Sequence, residues 1–160
     1  MNTLFAYGSL AGIAGRPCTL RDHRRGWDVA MDNRETIPGY KVYVDADTGE
    51  RPAVYVAFLS IRPEPGAEVP GVAFEVDDAG LAALDARERN YERVDVAALV
   101  EPGLDGPVWA YVGSAAGRAR YAAGRADGTA VVTEEYLARV PEAEPPDLPV
   151  VPLLRRDVGA

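Results

Sequence analysis

One glutamate lies where the helical pattern of its segment predicts an apolar residue. In DDAGLAALDARERNY, residues 77–91, a helix with 100° per residue turns one stripe of side chains towards the core. A carboxylate in such a stripe is costly unless it is paired or functional, and burial raises the pKa of a glutamate towards the range that a general base needs. Glu88 is therefore the candidate catalytic residue. The stripe contains Leu81, Leu84, Glu88 and Tyr91.

A structural role for Glu88 is the alternative, and the periodicity alone does not decide between the two. The carboxylate could form an ion pair with an arginine, for which Arg93 is the candidate. The helix could also end near Arg87, which would take Glu88 out of the apolar stripe.

A glycine turn near the start of the chain offers hydrogen-bond donors. A strand-like segment is followed by Tyr7-Gly8-Ser9-Leu10, and such a turn can direct successive backbone N–H groups at one point. That arrangement binds a carboxylate or a developing oxyanion, and the Ser9 hydroxyl would add a donor. The turn is not a P-loop, because no Gly-Lys-Ser/Thr follows, and glycine is absent two residues before and after Ser9, unlike in a serine-hydrolase elbow. A simple tight turn is the structural alternative.

Cysteine and histidine chemistry has little support in the sequence. The chain has one cysteine, Cys18, and one histidine, His23, so a cysteine hydrolase would need these two residues to meet. Zinc sites usually draw on several such ligands, which makes a zinc enzyme a poor candidate. A carboxylate-only magnesium or calcium site is not excluded by counting.

The composition narrows the class of protein. The chain has 160 residues, 48% of them hydrophobic, so an ordinary core is expected. A net charge of −8 disfavours binding to nucleic-acid phosphates and to anionic membrane surfaces. The single cysteine suits a cytoplasmic location, and the start of the chain does not resemble a signal peptide. The composition predicts no oligomeric state.

Most of the predicted elements are short strands separated by turn residues. Residues 18–25 are polar and predict a helical turn, and the proline-rich residues 63–70 predict a connection. The turn over residues 45–50 predicts a hairpin between the two strands that flank it. The strands are predicted over residues 4–7, 27–31, 40–44, 53–61, 71–76, 94–100 and 108–112.

Two helices and an extended tail complete the prediction. One helix starts near Ala79 after a cap at Asp77 or Asp78, and a short one follows Thr133. The pattern predicts an α+β fold, with a small mixed or antiparallel sheet that can curl into a barrel and two or three flanking helices. We expect a single domain over residues 1–140 and a proline-rich C-terminal tail over residues 141–160.

Taken together, these segments resemble the γ-glutamylcyclotransferase family. The resemblance implies a barrel-like α+β roll and a Tyr-Gly-Ser loop, here Tyr7 to Leu10, whose backbone amides bind the γ-glutamyl group. It implies that Glu88 is the single acid/base residue and, less directly, that Tyr136 contacts substrate. Arg89 stands where many members have glycine. The matching segments are Tyr7-Gly8-Ser9-Leu10, Gly71 to Tyr91, the strand with Tyr111, and TEEYLARV with Tyr136.

The resemblance also implies a small-molecule γ-glutamyl substrate as the partner and a reaction that needs no protein nucleophile and no cofactor. The α-amine of a γ-glutamyl amide would attack its own γ-carbonyl, which releases 5-oxoproline and a free amine or amino acid. A non-catalytic ligand- or protein-binding module on the same fold is the alternative, because a fold does not determine a function. An acyl-amine or a γ-glutamylated natural product is a further possible substrate.

Overall fold

The computed structural model of the chain describes residues 1–8 and 14–159. Within these ranges the α+β class and the expected number of helices are confirmed. The strands are β1 (Asn2–Ala6), β2 (Arg16–Asp32), β3 (Lys41–Asp45), β4 (Tyr55–Val76), β5 (Tyr91–Asp95), β6 (Val100–Glu101), β7 (Val108–Gly113), β8 (Ala130–Thr133), β9 (Val150–Val151) and β10 (Leu153–Asp157). The helices are α1 (Asp78–Arg87), α2 (Ala115–Asp127), α3 (Glu134–Arg139) and a 3₁₀ turn (Ala97–Leu99).

Two compact units are each assembled from two separate segments of the chain. The first unit combines Met1–Gly26 with Leu59–Ser114, and the second combines Trp27–Phe58 with Ala115–Ala160. The long strands β2 and β4 each contribute residues to both units. Among the described residues, no helix is long and apolar enough to cross a lipid bilayer.

The first unit is built on a mixed sheet, as the sequence predicts. Its strands follow the order β5-β7-β1-β4-β2-β6. Strand β1 is antiparallel to β4 and parallel to β7, whereas β5 is antiparallel to β7. The core of this unit includes Phe5, Leu20, Ile61, Val69 and Val108, all nearly inaccessible to solvent. Burial of each such side chain contributes about 1.5–3 kcal/mol, so these strands are held by packing as well as by their ladders.

Two segments that the sequence predicts as non-strand are parts of long strands. Residues 18–25 lie in β2 and residues 63–70 lie in β4. Asp22 has a φ of 56° and Gly66 a φ of 82°, and the Gly66 N–H donates to Asp22 Oδ1 at 2.9 Å. These left-handed residues mark an irregularity of the kind that lets strands accommodate prolines and polar residues. The predictions of a helical turn over residues 18–25 and of a connection over residues 63–70 are therefore wrong. Prolines and charged residues usually interrupt strands, but β2 and β4 accommodate them.

Gly71 lies where β4 approaches β1 too closely for a side chain. A Cβ on Gly71 would lie 2.7 Å from atoms of the Phe5 ring and would meet the Ala6 carbonyl oxygen as well. We expect Gly71→Ala to lower the free energy of unfolding by about 1–3 kcal/mol, because overpacking moves core groups from their preferred positions. Urea denaturation measures the change. Gly26→Ala is the matched control, since nothing lies within 4 Å of a Cβ there; equal losses in both variants would contradict the prediction.

The second unit contains β3, β8, β9, β10 and the helices α2 and α3. Strand β8 runs parallel to the first residues of β4, with Tyr55 opposite Ala130, and parallel to β9. Strand β3 is antiparallel to β10, with Leu153 opposite Asp45. The predicted hairpin between residues 40–44 and 53–61 is therefore wrong, because β3 pairs with a strand from the proline-rich segment after residue 140. The turn after β3 does form, and the Asp45 N–H donates to the Glu50 carbonyl at 2.7 Å.

A buried asparagine joins three chain segments of the second unit. The Asn33 side chain is inaccessible to solvent, and its Nδ2 donates to the carbonyls of Tyr43 at 3.0 Å and Pro52 at 2.9 Å. Its Oδ1 accepts the Tyr43 N–H at 2.8 Å. Arg51 Nε donates to the Asn33 carbonyl at 2.6 Å. Because buried polar groups need partners, this network fixes the path of the chain on either side of β3.

Candidate functional site

Three strand ends of the first unit meet at one edge of the sheet. Strands β1 and β7 are parallel, so their carboxyl ends point to the same edge. Strand β5 is antiparallel to β7, with Tyr91 opposite Gly113, so β5 begins where β7 ends. The segment that follows β1 and the segment that precedes β5 are therefore brought to this edge, which we call the site edge. These are the segments that contain Tyr7-Gly8 and Glu88.

Helix α1 leads to the site edge and stops just before Glu88. Asp77 caps its start, where its Oδ1 accepts the Gly80 N–H at 2.7 Å, as the sequence predicts. Glu88 is the C-cap residue, with its N–H still bonded to the Leu84 carbonyl at 2.8 Å. The alternative in which the helix ends near Arg87 is therefore confirmed, and the predicted stripe is wrong beyond Leu84, because Glu88 lies outside the helix and Tyr91 belongs to β5.

Glu88 is largely buried although it lies outside the helix. Its side chain is 16% exposed, and its Oε1 lies 3.5 Å from Nε of Arg87. The Arg87 side chain is 42% exposed, and pairs of this kind contribute little, about 0–1 kcal/mol. The expected ion pair of Glu88 with an arginine thus has Arg87 as a partner, and Arg93, the arginine that the sequence suggests, has its Nε 2.9 Å from Asp85 Oδ1. Glu88 is thus a partly desolvated carboxylate beside the partly exposed guanidinium of Arg87.

Tyr111 of β7 stands beside the end of α1. Its hydroxyl donates to Asp85 Oδ1 at 2.8 Å, the same oxygen that accepts Arg93 Nε at 2.9 Å. The Arg93 guanidinium lies 4.4 Å from the centre of the Trp109 ring. Burial, the bond to Asp85 and the negative charges of Asp85 and Glu88 raise the pKa of Tyr111, so the phenol stays neutral and remains a donor.

The start of the Tyr-Gly-Ser loop is held by two hydrogen bonds. The Tyr7 hydroxyl donates to the Tyr111 carbonyl at 2.6 Å, and the Tyr7 side chain is only 7% exposed. The Tyr7 carbonyl accepts Nη1 of Arg25 at 2.7 Å. Gly8 follows at a bend. Ser9 and Leu10, which the sequence predicts as substrate-binding residues, lie outside the described residues.

Tyr136 belongs to the second unit, in helix α3. Thr133 caps this helix and its Oγ1 accepts the Tyr136 N–H at 3.1 Å, as the sequence predicts. The Tyr136 ring meets Trp27 and Phe58 edge to face, with centroids 5.5 Å and 5.1 Å apart. Such aromatic pairs fix the ring beyond the effect of burial alone. Contact of Tyr136 with substrate stays a prediction.

Cys18 and His23 occupy structural positions in β2. Cys18 is part of the core of the first unit, and burial raises the pKa of its thiol, which disfavours the thiolate that a nucleophile requires. The His23 ring is buried, with Nδ1 3.0 Å from the Arg21 carbonyl. In residues 1–8 and 14–159, no group of three or more His, Cys, Asp or Glu side chains is arranged to hold a metal ion.

Asp85 and Tyr111, bonded to each other near the end of α1, are not among the predicted site residues. Asp85 precedes Glu88 by three residues and lies in the last turn of α1. Tyr111 could be placed only by knowing that β7 lies between β1 and β5. The first signal is local and was available in the sequence, whereas the second depends on strand order.

Comparisons with known proteins show which family this chain resembles. A family model described as "Gamma-glutamyl cyclotransferase, AIG2-like" matches residues 4–137. A solved structure of a gamma-glutamyl cyclotransferase is 19% identical, with 91% of this chain and 89% of that chain covered and a TM-score of 0.46. A crystal structure of an uncharacterized protein from Homo sapiens is 18% identical, with the same coverages and a TM-score of 0.47. No significant match is found among curated proteins.

Proposed function

Because the chain belongs to the gamma-glutamyl cyclotransferase, AIG2-like family, we propose that it is an enzyme that converts a γ-glutamyl amide into 5-oxoproline and a free amine or amino acid. The observation that supports this proposal is the site edge, where the segment after β1, with Tyr7 and Gly8, and the segment before β5, with Glu88 at 16% exposure, come together. The single cysteine supports action in the reducing cytoplasm.

Glu88 acts as the base and then as the acid in the proposed reaction. The substrate α-amine is protonated near neutral pH and cannot attack until it loses a proton. Glu88 accepts that proton, the nitrogen forms a bond to the γ-carbonyl carbon, and a five-membered lactam closes. The bond from the γ-carbon to the leaving nitrogen then breaks as Glu88 returns its proton to that nitrogen. The ring nitrogen loses its second surplus proton, and the released amine takes up one proton to leave as an ammonium ion. The protein contributes no nucleophile, metal or cofactor to these steps, because the substrate supplies the attacking atom.

The Tyr7–Leu10 segment is proposed to hold the γ-glutamyl group. Backbone N–H groups of Gly8, Ser9 and Leu10 would bind the substrate carboxylate or stabilise the oxyanion that forms at the γ-carbonyl. Tyr7 would keep the start of this segment in place through its bond to the Tyr111 carbonyl. Tyr136 is proposed as an additional substrate contact. Holding the substrate folded places its amine near its own carbonyl, which removes much of the entropic barrier to ring closure.

A free α-amine should be an absolute requirement of the substrate. We expect γ-glutamyl dipeptides and γ-glutamyl amines to yield 5-oxoproline, and their N-acetylated forms to yield none. Acetylation delocalises the nitrogen lone pair that must attack, and no contact with the protein restores it. Mass spectrometry of the products, with each substrate tested in both forms, measures the effect.

The same panel separates this proposal from its rivals. Glutamate as the main product, released from acetylated and free substrates alike, would indicate attack by water and contradict the cyclisation. Binding of γ-glutamyl compounds without turnover, measured by calorimetry, would favour the non-catalytic binding module instead.

A further inference from the structure

We propose that Tyr111 and Asp85 form a positioning clamp that holds the Glu88 carboxylate in place relative to the Tyr7–Gly8 segment. The expected effect on kcat rests on the proposed function, whereas the contacts of Tyr111 and Asp85 lie within the first unit. The proposal does not require Tyr111 or Asp85 to contact the substrate. Both are positioning residues that act through Glu88.

Tyr111 is bonded to both halves of the site edge. Its backbone carbonyl accepts the Tyr7 hydroxyl at 2.6 Å, which ties β7 to the start of the loop after β1. Its own hydroxyl donates to Asp85 Oδ1 at 2.8 Å, which ties β7 to the last turns of α1. One residue therefore sets the spacing between the helix that leads to Glu88 and the segment that begins at Tyr7.

Asp85 transmits this restraint to Glu88 through the end of α1. Leu84, the neighbour of Asp85, accepts the Glu88 N–H at 2.8 Å, and the Glu88 carbonyl accepts the Tyr91 N–H at 3.2 Å. The Glu88 backbone is thus bonded both to the last turn of α1 and to the first residue of β5. If Asp85 moves, the turn that presents the carboxylate moves with it.

Arg93 of β5 also bonds to Asp85, and the Tyr111–Asp85 bond stays formed at neutral pH. Arg93, opposite Tyr111 in the β5–β7 register, donates to the same Asp85 oxygen and lies over the Trp109 ring. This guanidinium offsets the negative charge of Asp85. Burial and the adjacent carboxylates keep the Tyr111 hydroxyl protonated, so it continues to donate.

Substitution at either end of the Tyr111–Asp85 bond should lower kcat with little change in KM. For Tyr111→Phe and for Asp85→Ala we expect a loss of about 10- to 100-fold in kcat per folded active site, because small misplacement of a reacting group has effects of this order. Asp85→Asn keeps an oxygen that can accept from Tyr111 and should retain most of the activity. The double variant should be no slower than the slower single variant, since both changes remove the same Tyr111–Asp85 bond.

Tyr55→Phe is the matched control for the loss of a tyrosine hydroxyl. The Tyr55 hydroxyl accepts from Arg34 Nη2 at 2.7 Å in the second unit, so the control loses a bond of similar length. It should leave kcat unchanged. Wild-type kcat in Tyr111→Phe, or failure of Asp85→Asn to rescue the loss seen with Asp85→Ala, would overturn the proposal.

Crystal structures of the wild type and Tyr111→Phe give a readout that does not depend on turnover. We expect the Glu88 carboxylate to shift relative to Tyr7 by on the order of 1 Å in the variant. A carboxylate that stays in place overturns the clamp, whatever happens to kcat. If the wild type produces no 5-oxoproline from any substrate, the proposed function fails, and this structural comparison still decides the clamp.

Discussion

Replacing Glu88 with glutamine is expected to reduce kcat for 5-oxoproline release by about 10²- to 10⁴-fold while the protein stays folded. Glutamine keeps the size of the side chain and most of its packing at this 16% exposed position, but it cannot accept the amine proton or return one to the leaving nitrogen. The measurement is single-turnover product formation by mass spectrometry, with circular dichroism and thermal melting to establish the fold.

Glu92→Gln is the control for the loss of one carboxylate in the same region. Glu92 is exposed on β5, four residues further along the chain, and should be replaceable without a change in kcat. A Glu88→Gln variant with the wild-type rate would remove Glu88 from the mechanism. A loss of equal size in Glu92→Gln would point to a general effect of net charge instead.

The second large effect is expected on stability, from Asn33→Asp. The carboxylate has nearly the same shape, but it cannot donate to the carbonyls of Tyr43 and Pro52, which lie 3.0 and 2.9 Å from Nδ2. Loss of each buried bond to an unsatisfied carbonyl costs about 1–3 kcal/mol, and the buried charge adds to this cost. We expect the free energy of unfolding to fall by about 3–5 kcal/mol, measured by urea denaturation at neutral pH.

Asp47→Asn provides the reverse change at an exposed site of the same unit. Asp47 lies in the turn after β3, and its N–H rather than its side chain bonds to Asp45. We expect a change within about 0.5 kcal/mol, as for most surface substitutions. An Asn33→Asp variant as stable as the wild type would mean that the chain around β3 is not held by this amide.

Local signals in the sequence located the starts of α1 and α3, whereas α2 (Ala115–Asp127) is not among the predicted helices. Asp77 and Thr133 are predicted caps, and each accepts an N–H from the first turn of its helix. These predictions succeed because capping depends on residues within one turn of each other. The resemblance in the Tyr7–Leu10 and Glu88 segments likewise predicted the family correctly, because each motif is short and contiguous.

Predictions that needed strand partners or tolerance of prolines were wrong. Nothing in the residues of β3 indicates that its partner is β10, more than 100 residues later, rather than the adjacent segment. The prolines between residues 63 and 70 argue against a strand, yet β4 runs through them. The Tyr111–Asp85 bond could not be predicted from the sequence for a similar reason. It joins α1 to β7, and the position of β7 follows from the strand order of the sheet.

The interleaving of the two units determines the order in which they can form on the ribosome. The first unit has all of its residues once Ser114 has been added, whereas the second must also recruit the segment from Ala115 onwards. Among the paired strands, β3 is separated from its partner by the longest stretch of chain, because β10 ends at Asp157. At translation rates of about 5–20 residues per second, β3 remains without this partner for roughly 6–22 s. During that interval its open backbone edge is a site where a nascent chain can aggregate or be bound by a chaperone.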